Sequence, residues 1–254
     1  MKQVKIAISI DPKILSDVEN TIDGVNIRNR SQAIAHLLRK ALQNETSTAV
    51  ILAGGRYGEE KAMRQFKGKP VIQHLMEWMR KYGINNFVIA ISASDNSIRK
   101  YFGDGSRLNS RIFYLLETIP TGTAGAVSGS RSLVGQTFVV ANCDSIFSFN
   151  LSNMVQHHVR SGKCVTIAVR ETANPSEYGS VEMEGDSIIG FHEKSPHAST
   201  KIVSTGIYVM SGDIFRYLPE KGSLEENVFP MLAKERMVNG YIFTSEWKDM
   251  ERSI

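Results

Sequence analysis

The sequence has little cysteine and no long apolar run. Its two cysteines, Cys143 and Cys164, cannot build a disulfide framework, and no spacing of cysteine and histidine resembles a zinc site. The longest apolar runs, such as residues 87–91, are far shorter than the roughly 18 residues of a membrane span, and the first residues lack the basic-then-apolar pattern of a signal peptide. These absences exclude a secreted disulfide scaffold, and they predict a cytoplasmic protein that does not enter a membrane.

The sequence also has little charge imbalance, because 30 Lys and Arg residues oppose 26 Asp and Glu residues and leave a net charge of +4. Such a surplus permits an anionic ligand without requiring one. At 254 residues, of which 42% are hydrophobic, the chain can bury a substantial core. This length is near the limit at which one core divides, so we expect one large domain or a small domain followed by a larger one.

The first 46 residues have the pattern of one strand and two helices. Residues 4–10 alternate apolar with polar or small side chains, as in a half-buried strand. Asp11 before Pro12 is typical of a helix start, and Ser31 is predicted to cap a second helix whose apolar residues recur three and four apart. A unit this small lacks a core of its own, and its strand lacks a partner. We therefore expect a homodimer in which two copies pair their strands and pack their helices.

Residues 2–42 resemble the ribbon-helix-helix family of DNA-binding proteins. The match rests on Lys5-Ile6-Ala7-Ile8-Ser9-Ile10-Asp11, on Asn29-Arg30-Ser31, and on the stripe of Ile34, Leu37 and Leu38. The resemblance implies that Lys5, Ala7 and Ser9 project from the paired strands into the major groove of double-stranded DNA. It also implies that Arg30 and the backbone amides at Ser31 hold phosphates. In the alternative interpretation the unit only dimerises the protein, and these side chains are solvated.

The remaining residues alternate strand and helix patterns after a short polar stretch at 44–48. Strands are predicted at 49–52, 87–91, 111–116, 137–141 and 164–169, and a helix follows Pro70. This alternation is typical of an α/β fold with a doubly wound, parallel sheet. We therefore predict two domains, residues 1–46 and 47–254. Met76, Trp78 and Met79 are expected in the core, and His157 and His158 on the surface.

The first of these strands ends in Leu52-Ala53-Gly54-Gly55. Glycines at that place let backbone amides approach phosphate, but a few glycines are a weak signal. Over residues 48–250 the chain resembles the sugar-phosphate nucleotidyltransferases, also called nucleoside-diphosphate-sugar pyrophosphorylases. The match rests on nine elements in the family's order: Leu52-Ala53-Gly54-Gly55, Lys61-Ala62-Met63, Gly68-Lys69-Pro70, Gly122-Thr123-Ala124-Gly125-Ala126, Asn142-Cys143-Asp144, Glu171 with Tyr178-Gly179, Phe191-His192-Glu193-Lys194, Thr205-Gly206-Ile207-Tyr208, and Trp247-Lys248-Asp249.

This second resemblance implies a Rossmann-like domain with a mixed, mostly parallel sheet, which joins a nucleoside triphosphate to a sugar 1-phosphate and releases pyrophosphate. Asp144 and Asp249 would hold Mg²⁺, an ion that prefers hard oxygen ligands. Lys61 and Lys194 would complete the catalytic set by neutralising phosphate charge. The implied nucleotide contacts are Leu52, Ala53, Gly54, Gly55, Gly122, Thr123 and Ala124, and the implied sugar contacts are Glu171, Tyr178, Gly179 and Thr205.

The glycine loop departs from the family pattern. Glu59 occupies the position of the family's arginine, Glu60 follows it, and Lys61 comes only six residues after Gly55. Two carboxylates beside a triphosphate repel its negative charge, which the site must stabilise during transfer. Their presence puts turnover in doubt.

The sequence therefore favours a DNA-binding transcription regulator whose large domain binds a nucleotide, a sugar phosphate or a nucleotide sugar. The alternative is an active nucleotidyltransferase that its N-terminal unit dimerises. A structural dimer without a working site is a third possibility.

Overall fold

The structure, a computed structural model, describes residues 7–25, 27–43, 46–55, 57–94, 96–196 and 198–251, and for residues 39–43 only the backbone. The chain forms two compact units, Met1–Glu45 and Thr46–Ile254. No helix among the described residues combines the length and the apolar character that crossing a bilayer requires.

The described part of the smaller unit contains two helices, α1 (Pro12–Glu19) and α2 (Arg30–Gln43). As predicted, Asp11 caps α1, since its carboxylate accepts the backbone N–H of Lys13 at 2.8 Å. The predicted cap of α2 was wrong. Asn29 is the cap because its side-chain oxygen accepts the N–H of Gln32 at 2.9 Å, whereas Ser31 lies inside the helix.

The predicted strand at residues 4–10 is not seen among the described residues. Residues 7–10 form no strand, and residues 1–6 lie outside the described part of the chain. A strand needs hydrogen-bonding partners, and a single copy of this short unit supplies none to residues 7–10.

The larger unit consists of short strands and helices in alternation. Its strands are β1 (Thr48–Leu52), β2 (Gln65–Phe66), β3 (Lys69–Pro70), β4 (Asn86–Ser92), β5 (Arg111–Glu117), β6 (Thr137–Asn142), β7 (Ser145–Phe147), β8 (Val165–Glu171), β9 (Gly179–Glu184), β10 (Ser187–Glu193), β11 (Ile202–Ser211), β12 (Val238–Ile242) and β13 (Trp247–Asp249). Its α-helices are α3 (Gly58–Met63), α4 (Val71–Arg80), α5 (Ser97–Phe102), α6 (Gly122–Gly129), α7 (Leu151–Ser161) and α8 (Phe229–Lys234). Short 3-10 helices span Ser106–Leu108, Pro175–Glu177 and Gly212–Arg216, and a π-helical turn spans Leu224–Val228. All five predicted strands and the helix after Pro70 are present.

Nine of the described strands form one mixed sheet in the order β5-β4-β1-β6-β11-β8-β12-β10-β9. Seven of them run in one direction, as a mostly parallel sheet requires. However, β10 and β11 run the opposite way, so only four of the eight neighbouring pairs in this order are parallel. Of the five predicted strands, β1, β4, β5 and β6 form a continuous parallel part of the sheet, whereas β8 is antiparallel to its neighbour β11 and parallel to β12.

Helices cover both faces of this sheet. Along β1, Ala49 and Ile51 belong to the core beneath α4, α5 and α7, whereas Val50 belongs to the core beneath α6 and α8. This alternation follows from the two-residue period of a strand, and it makes β1 apolar on both sides. Met76, Trp78 and Met79 are buried in the first of these cores, as expected.

The prediction that His158 lies on the surface was wrong, because its side chain is buried. His158 follows Leu151 and Met154 at helical spacing along α7, so it falls on the face that packs against the sheet. There its Nδ1 lies 3.0 Å from Oγ1 of Thr166 on β8, and this hydrogen bond makes the burial of an imidazole tolerable.

Candidate active site

The first cleft lies at the carboxyl ends of β1, β5 and β6. β1 and β6 are neighbours, and the chain leaves them in opposite directions: the connection after β1 leads to β4, and the connection after β6 leads away to the other side. Ligands of open α/β sheets bind at such a point. The cleft has a volume of about 330 Å³. It is lined by Leu52, Gly54, Gly55, Tyr57, Gly58, Lys61, Ala90, Glu117, Pro120, Gly122, Thr123, Ala126, Asn142, Cys143 and Asp144.

Glycine is required at Gly54 because a side chain there would collide with Glu117. A Cβ on Gly54 would lie 2.2 Å from Oε2 of Glu117, closer than any real contact. The carboxylate of Glu117 is itself held in place, since its Oε1 accepts hydrogen bonds from the backbone N–H and the hydroxyl of Thr121. The glycine loop and the acidic end of β5 thus form adjoining walls of the first cleft.

The two glutamates that departed from the family pattern do not line the first cleft. They belong to the first turn of α3, and this turn brings Tyr57, Gly58 and Lys61 to the cleft instead. The carboxylate of Glu59 accepts the backbone N–H of Ser97 at the start of α5, at 3.0 Å, and lines a neighbouring cavity. Glu60 is exposed. Glu59 and Glu60 therefore do not line the first cleft, although the cavity beside Glu59 shares Gly55, Glu117 and Pro120 with it. Their expected effect on a bound triphosphate stays a prediction.

Lys61 places a cation in the first cleft. Its Nζ lies 2.7 Å from Oε2 of Glu251 and 3.9 Å from Oδ2 of Asp144. Burial by itself lowers the pKa of Lys61, but the hydrogen bond to Glu251 and the charges of Asp144 and Glu251 outweigh it, so that the pKa is raised. Lys61 therefore carries a positive charge at neutral pH.

Asp144 and Asp249 lie on adjoining segments. Asp144 follows β6, and Asp249 ends β13, where it pairs with Ser145 of β7. Burial raises the pKa of Asp144; Lys61 opposes this effect, and the charge of Asp249 adds to it. A divalent cation would relieve this repulsion between carboxylates.

Within the described part of the chain, no group of three or more His, Cys, Asp or Glu side chains is placed to hold a metal ion. Two carboxylates nevertheless fit Mg²⁺, which commonly takes one or two protein carboxylates together with phosphate and water oxygens.

The second cleft adjoins the first, with a volume of about 250 Å³. It is lined by Lys61, Thr123, Asn142, Asp144, Ser145, Glu177, Tyr178, Gly179, Glu193, Lys194, Ser204, Thr205, Gly206, Tyr208, Glu225, Trp247, Asp249 and Glu251. The two clefts share Lys61, Thr123, Asn142 and Asp144. A molecule in one cleft would therefore meet a molecule in the other at the cation and the carboxylate.

Backbone irregularities position several side chains of the second cleft. Lys194 has a positive φ of 43°, which is uncommon for a residue with a side chain and recurs at functional sites. Its backbone N–H donates to the carbonyl of Tyr178 at 3.0 Å. On β11 the strand register shifts between Ser204 and Tyr208, and irregularities of this kind redirect side chains near sites.

Most of the predicted site residues lie together. Leu52, Gly54, Gly55, Lys61, Gly122, Thr123 and Asp144 line the first cleft, and Tyr178, Gly179, Lys194, Thr205 and Asp249 line the second. Three predicted contacts line neither cleft. Ala124 is fully buried in the core beneath α6. Ala53 is buried and lines the neighbouring cavity that also contains Glu59. Glu171 ends β8, and its side chain is exposed.

The lining residues that were not among the predicted site residues include four glutamates and a tyrosine: Glu117, Glu193, Glu225, Glu251 and Tyr208. Glu193 and Tyr208 lie inside elements that carried the family resemblance, and this position could have indicated that they line the site. Burial raises the pKa of Glu193, and the nearby charge of Glu225 raises it further. Glu225 and Glu251 had no sequence signal, because their partners are far away along the chain.

The predicted DNA contacts are only partly described. Lys5 lies outside the described residues, and Ala7 and Ser9 are exposed. Arg30 Nε donates to Oε1 of Glu19 at 2.7 Å, so its charge is paired within the smaller unit. Ser31 lies in the first turn of α2 and is exposed.

Comparison with known proteins covers the larger unit. The profile of the family described as "Nucleotidyl transferase" matches residues 48–250. The chain is 31% identical over 218 residues to the mannose-1-phosphate guanylyltransferase catalytic subunit beta of Xenopus tropicalis, covering 80% of this chain and 60% of that protein. It is 28% identical over 216 residues to the mannose-1-phosphate guanylyltransferase of Mycobacterium tuberculosis, with the same coverage. The chain thus spans about three fifths of the length of these relatives.

Solved structures show the same fold at low sequence identity. HddC from Yersinia pseudotuberculosis matches with a TM-score of 0.70 at 23% identity, over 81% of this chain and 94% of that chain. HddC complexed with GMP-PN matches with a TM-score of 0.69 at 22% identity, over 82% of this chain and 95% of that chain.

Proposed function

The chain belongs to the nucleotidyl transferase family, and we propose that its larger unit joins a guanine nucleoside triphosphate to a hexose 1-phosphate and releases pyrophosphate. The observation that carries this proposal is the meeting of the two clefts at Lys61 and Asp144. A nucleotide in the first cleft and a sugar phosphate in the second would bring their phosphates together there. Because Glu59 and Glu60 do not line the first cleft, the argument that their charges oppose turnover is weakened.

The reaction assigns a task to each residue at this junction. A phosphate oxygen of the sugar 1-phosphate attacks the α-phosphorus of the triphosphate, a new P–O bond forms, and the bond to the β-phosphate breaks as pyrophosphate leaves. Lys61 neutralises charge on the triphosphate, and Lys194 holds the sugar phosphate. Asp144 and Asp249 would hold Mg²⁺, which supplies positive charge at the α-phosphate when bound.

Three observations support the choice of substrates. The named relatives are guanylyltransferases for mannose 1-phosphate. In the first cleft Glu117 offers a carboxylate, which accepts the adjacent N–H donors of guanine, whereas adenine presents a ring-nitrogen acceptor at the equivalent edge. In the second cleft Tyr178 and Trp247 lie with ring centroids 5.2 Å apart, and they offer apolar faces to a sugar ring.

We assign a dimerising role to the smaller unit. Ile8, Ile14 and Leu38 are between 51% and 57% exposed, a large apolar exposure for a unit of 45 residues. The transcription regulator that the sequence favoured has weaker support, since the charge of Arg30 is paired within the unit and the family profile begins at residue 48. DNA binding stays a prediction, as does the cytoplasmic location.

The test is release of pyrophosphate from GTP, ATP, CTP, UTP and dTTP, each with mannose 1-phosphate or glucose 1-phosphate, with and without Mg²⁺. We expect Mg²⁺-dependent turnover with GTP and a hexose 1-phosphate. Asp144→Asn should lose at least 100-fold in rate, and Glu117→Gln should reduce the preference for GTP about tenfold. Glu246→Gln, at an exposed position, is the matched control. Absence of turnover with every pair would refute the proposal, and equal rates with GTP and ATP would refute the role of Glu117.

A further inference from the structure

Residues 222–225 are tied to the start of α6, which forms the wall between the two clefts. The backbone N–H of Gly222 donates to the carbonyl of Thr121 at 2.9 Å, and its carbonyl accepts the N–H of Ala124 at 3.0 Å. The N–H of Leu224 donates to Oγ1 of Thr123 at 2.8 Å. Thr123 lines both clefts, and its hydrogen bond with Leu224 helps to fix its side chain there.

Glu225 connects that wall to the floor of the second cleft. Its Oε2 accepts hydrogen bonds from the hydroxyls of Thr123, at 2.7 Å, and Ser223, at 2.9 Å. Its Oε1 accepts the hydroxyl of Tyr208 on β11 at 3.1 Å. Burial holds the pKa of Tyr208 well above its usual range, and the nearby charge of Glu225 raises it further, so the hydroxyl stays a donor. Glu225 lies in a π-helical turn, an irregularity that is frequent at functional sites.

We propose that Glu225 is a positioning residue that fixes the first and second clefts at the separation which in-line transfer requires. This inference rests on the proposed function. Transfer between two bound molecules needs the attacking oxygen and the phosphorus within about 3–3.5 Å and in line, and an error of about 1 Å can cost about 100-fold in rate. Thr123 belongs to the shared wall, and Tyr208 belongs to the second cleft. The carboxylate that bonds to both sets the distance between them.

Two substitutions break this link at opposite ends. In Glu225→Gln an amide nitrogen replaces one carboxylate oxygen, so either the hydroxyls of Thr123 and Ser223 or the hydroxyl of Tyr208 lose their acceptor. Ser223 Oγ has no capacity to compensate, because it already accepts the N–H groups of Glu225 and Glu226. Tyr208→Phe removes the contact to β11 and leaves the other two in place. Glu226→Gln is the matched control, since it removes the same charge from an exposed neighbour in the same turn.

The experiment measures steady-state kinetics and the separate binding of three ligands in each variant. GMP fills the first cleft, mannose 1-phosphate fills the second, and GDP-mannose spans both. For Glu225→Gln and Tyr208→Phe we expect kcat to fall 10- to 100-fold while both KM values change less than threefold. GMP and mannose 1-phosphate should bind within threefold of the unsubstituted protein, whereas GDP-mannose should bind at least tenfold more weakly. Glu226→Gln should leave every value unchanged.

The outcomes separate this inference from the proposed function. If the unsubstituted protein turns over and Glu225→Gln matches it, the proposed function stands and the positioning role is wrong. If GMP and mannose 1-phosphate also bind weakly to the variant, Glu225 only maintains local structure, and the inference is again wrong. If the unsubstituted protein does not turn over, the proposed function fails, and selective loss of GDP-mannose binding still supports the positioning role. Absence of GDP-mannose binding in the unsubstituted protein would overturn both.

Discussion

Acid should destabilise the protein through His158. Burial of this imidazole on the inner face of α7 lowers its pKa from the ordinary value of 6.5 to about 4, and the neighbouring His157 contributes to the same effect. Between these two pH values the unfolded chain binds a proton that the folded chain excludes. The stabilisation is therefore complete above pH 6.5 and is lost as the pH falls toward 4.

The magnitude follows from the difference between the two pKa values. A tenfold change in a proton-binding constant corresponds to about 1.4 kcal/mol, so the displacement from 6.5 to about 4 amounts to about 3 kcal/mol of unfolding free energy. That is a large share of the 5–15 kcal/mol that stabilises a typical domain. Asp144 and Glu193 act in the opposite direction, because their pKa values are raised in the folded state and they bind protons there first.

The assay compares the unsubstituted protein with His158→Asn. Asparagine keeps a polar atom near Thr166 but does not titrate, and the contributions of Asp144 and Glu193 cancel in the comparison. Urea unfolding at several pH values from 4 to 7, followed by circular dichroism and tryptophan fluorescence, gives the free energy of each protein. We expect the unsubstituted protein to lose about 3 kcal/mol more than the variant over this range. Identical pH dependences would refute the argument, and noncoincident transitions would show that unfolding is not two-state.

Three further predictions concern the site and the domain arrangement. Gly122→Ala should lower the melting temperature and weaken GTP binding at least tenfold. The reason is that φ is 78° at this residue and that the new Cβ would lie 2.3 Å from the carbonyl oxygen of Gly222. An unchanged melting temperature and an unchanged GTP affinity by calorimetry would contradict this. Asp249→Asn should weaken Mg²⁺-dependent GTP binding at least tenfold without affecting Mg²⁺-independent binding, and calorimetry with and without Mg²⁺ measures both. The full chain should be a dimer by light scattering and residues 46–254 a folded monomer, and a monomeric full chain would refute the role assigned to the smaller unit. Retention of DNA by the full chain but not by residues 46–254, weakened steeply by salt, would restore the regulator interpretation.

Local sequence determined the elements of the larger unit and the order of its motifs. Strands such as β1 and β4 are apolar on both sides, and this alone predicts burial between two layers of helices. The cap at Asp11 is equally local, since donor and acceptor are two residues apart. The nine motif elements are sufficient to identify the family, because most of them lie within a few consecutive residues.

Tertiary structure decided which charges meet in the site. Lys61 and Glu251 are separated by 190 residues, and Thr123 and Glu225 by 102, so no local pattern predicts either pair. The direction of the Glu59 side chain depended on whether residues 58–63 formed a loop or a helix. His158 is buried because it lies on the side of α7 that packs against the sheet. Sequence patterns determine the element in which a side chain lies, whereas its partners depend on how distant elements pack, because hydrogen bonds and ion pairs act only over a few ångströms.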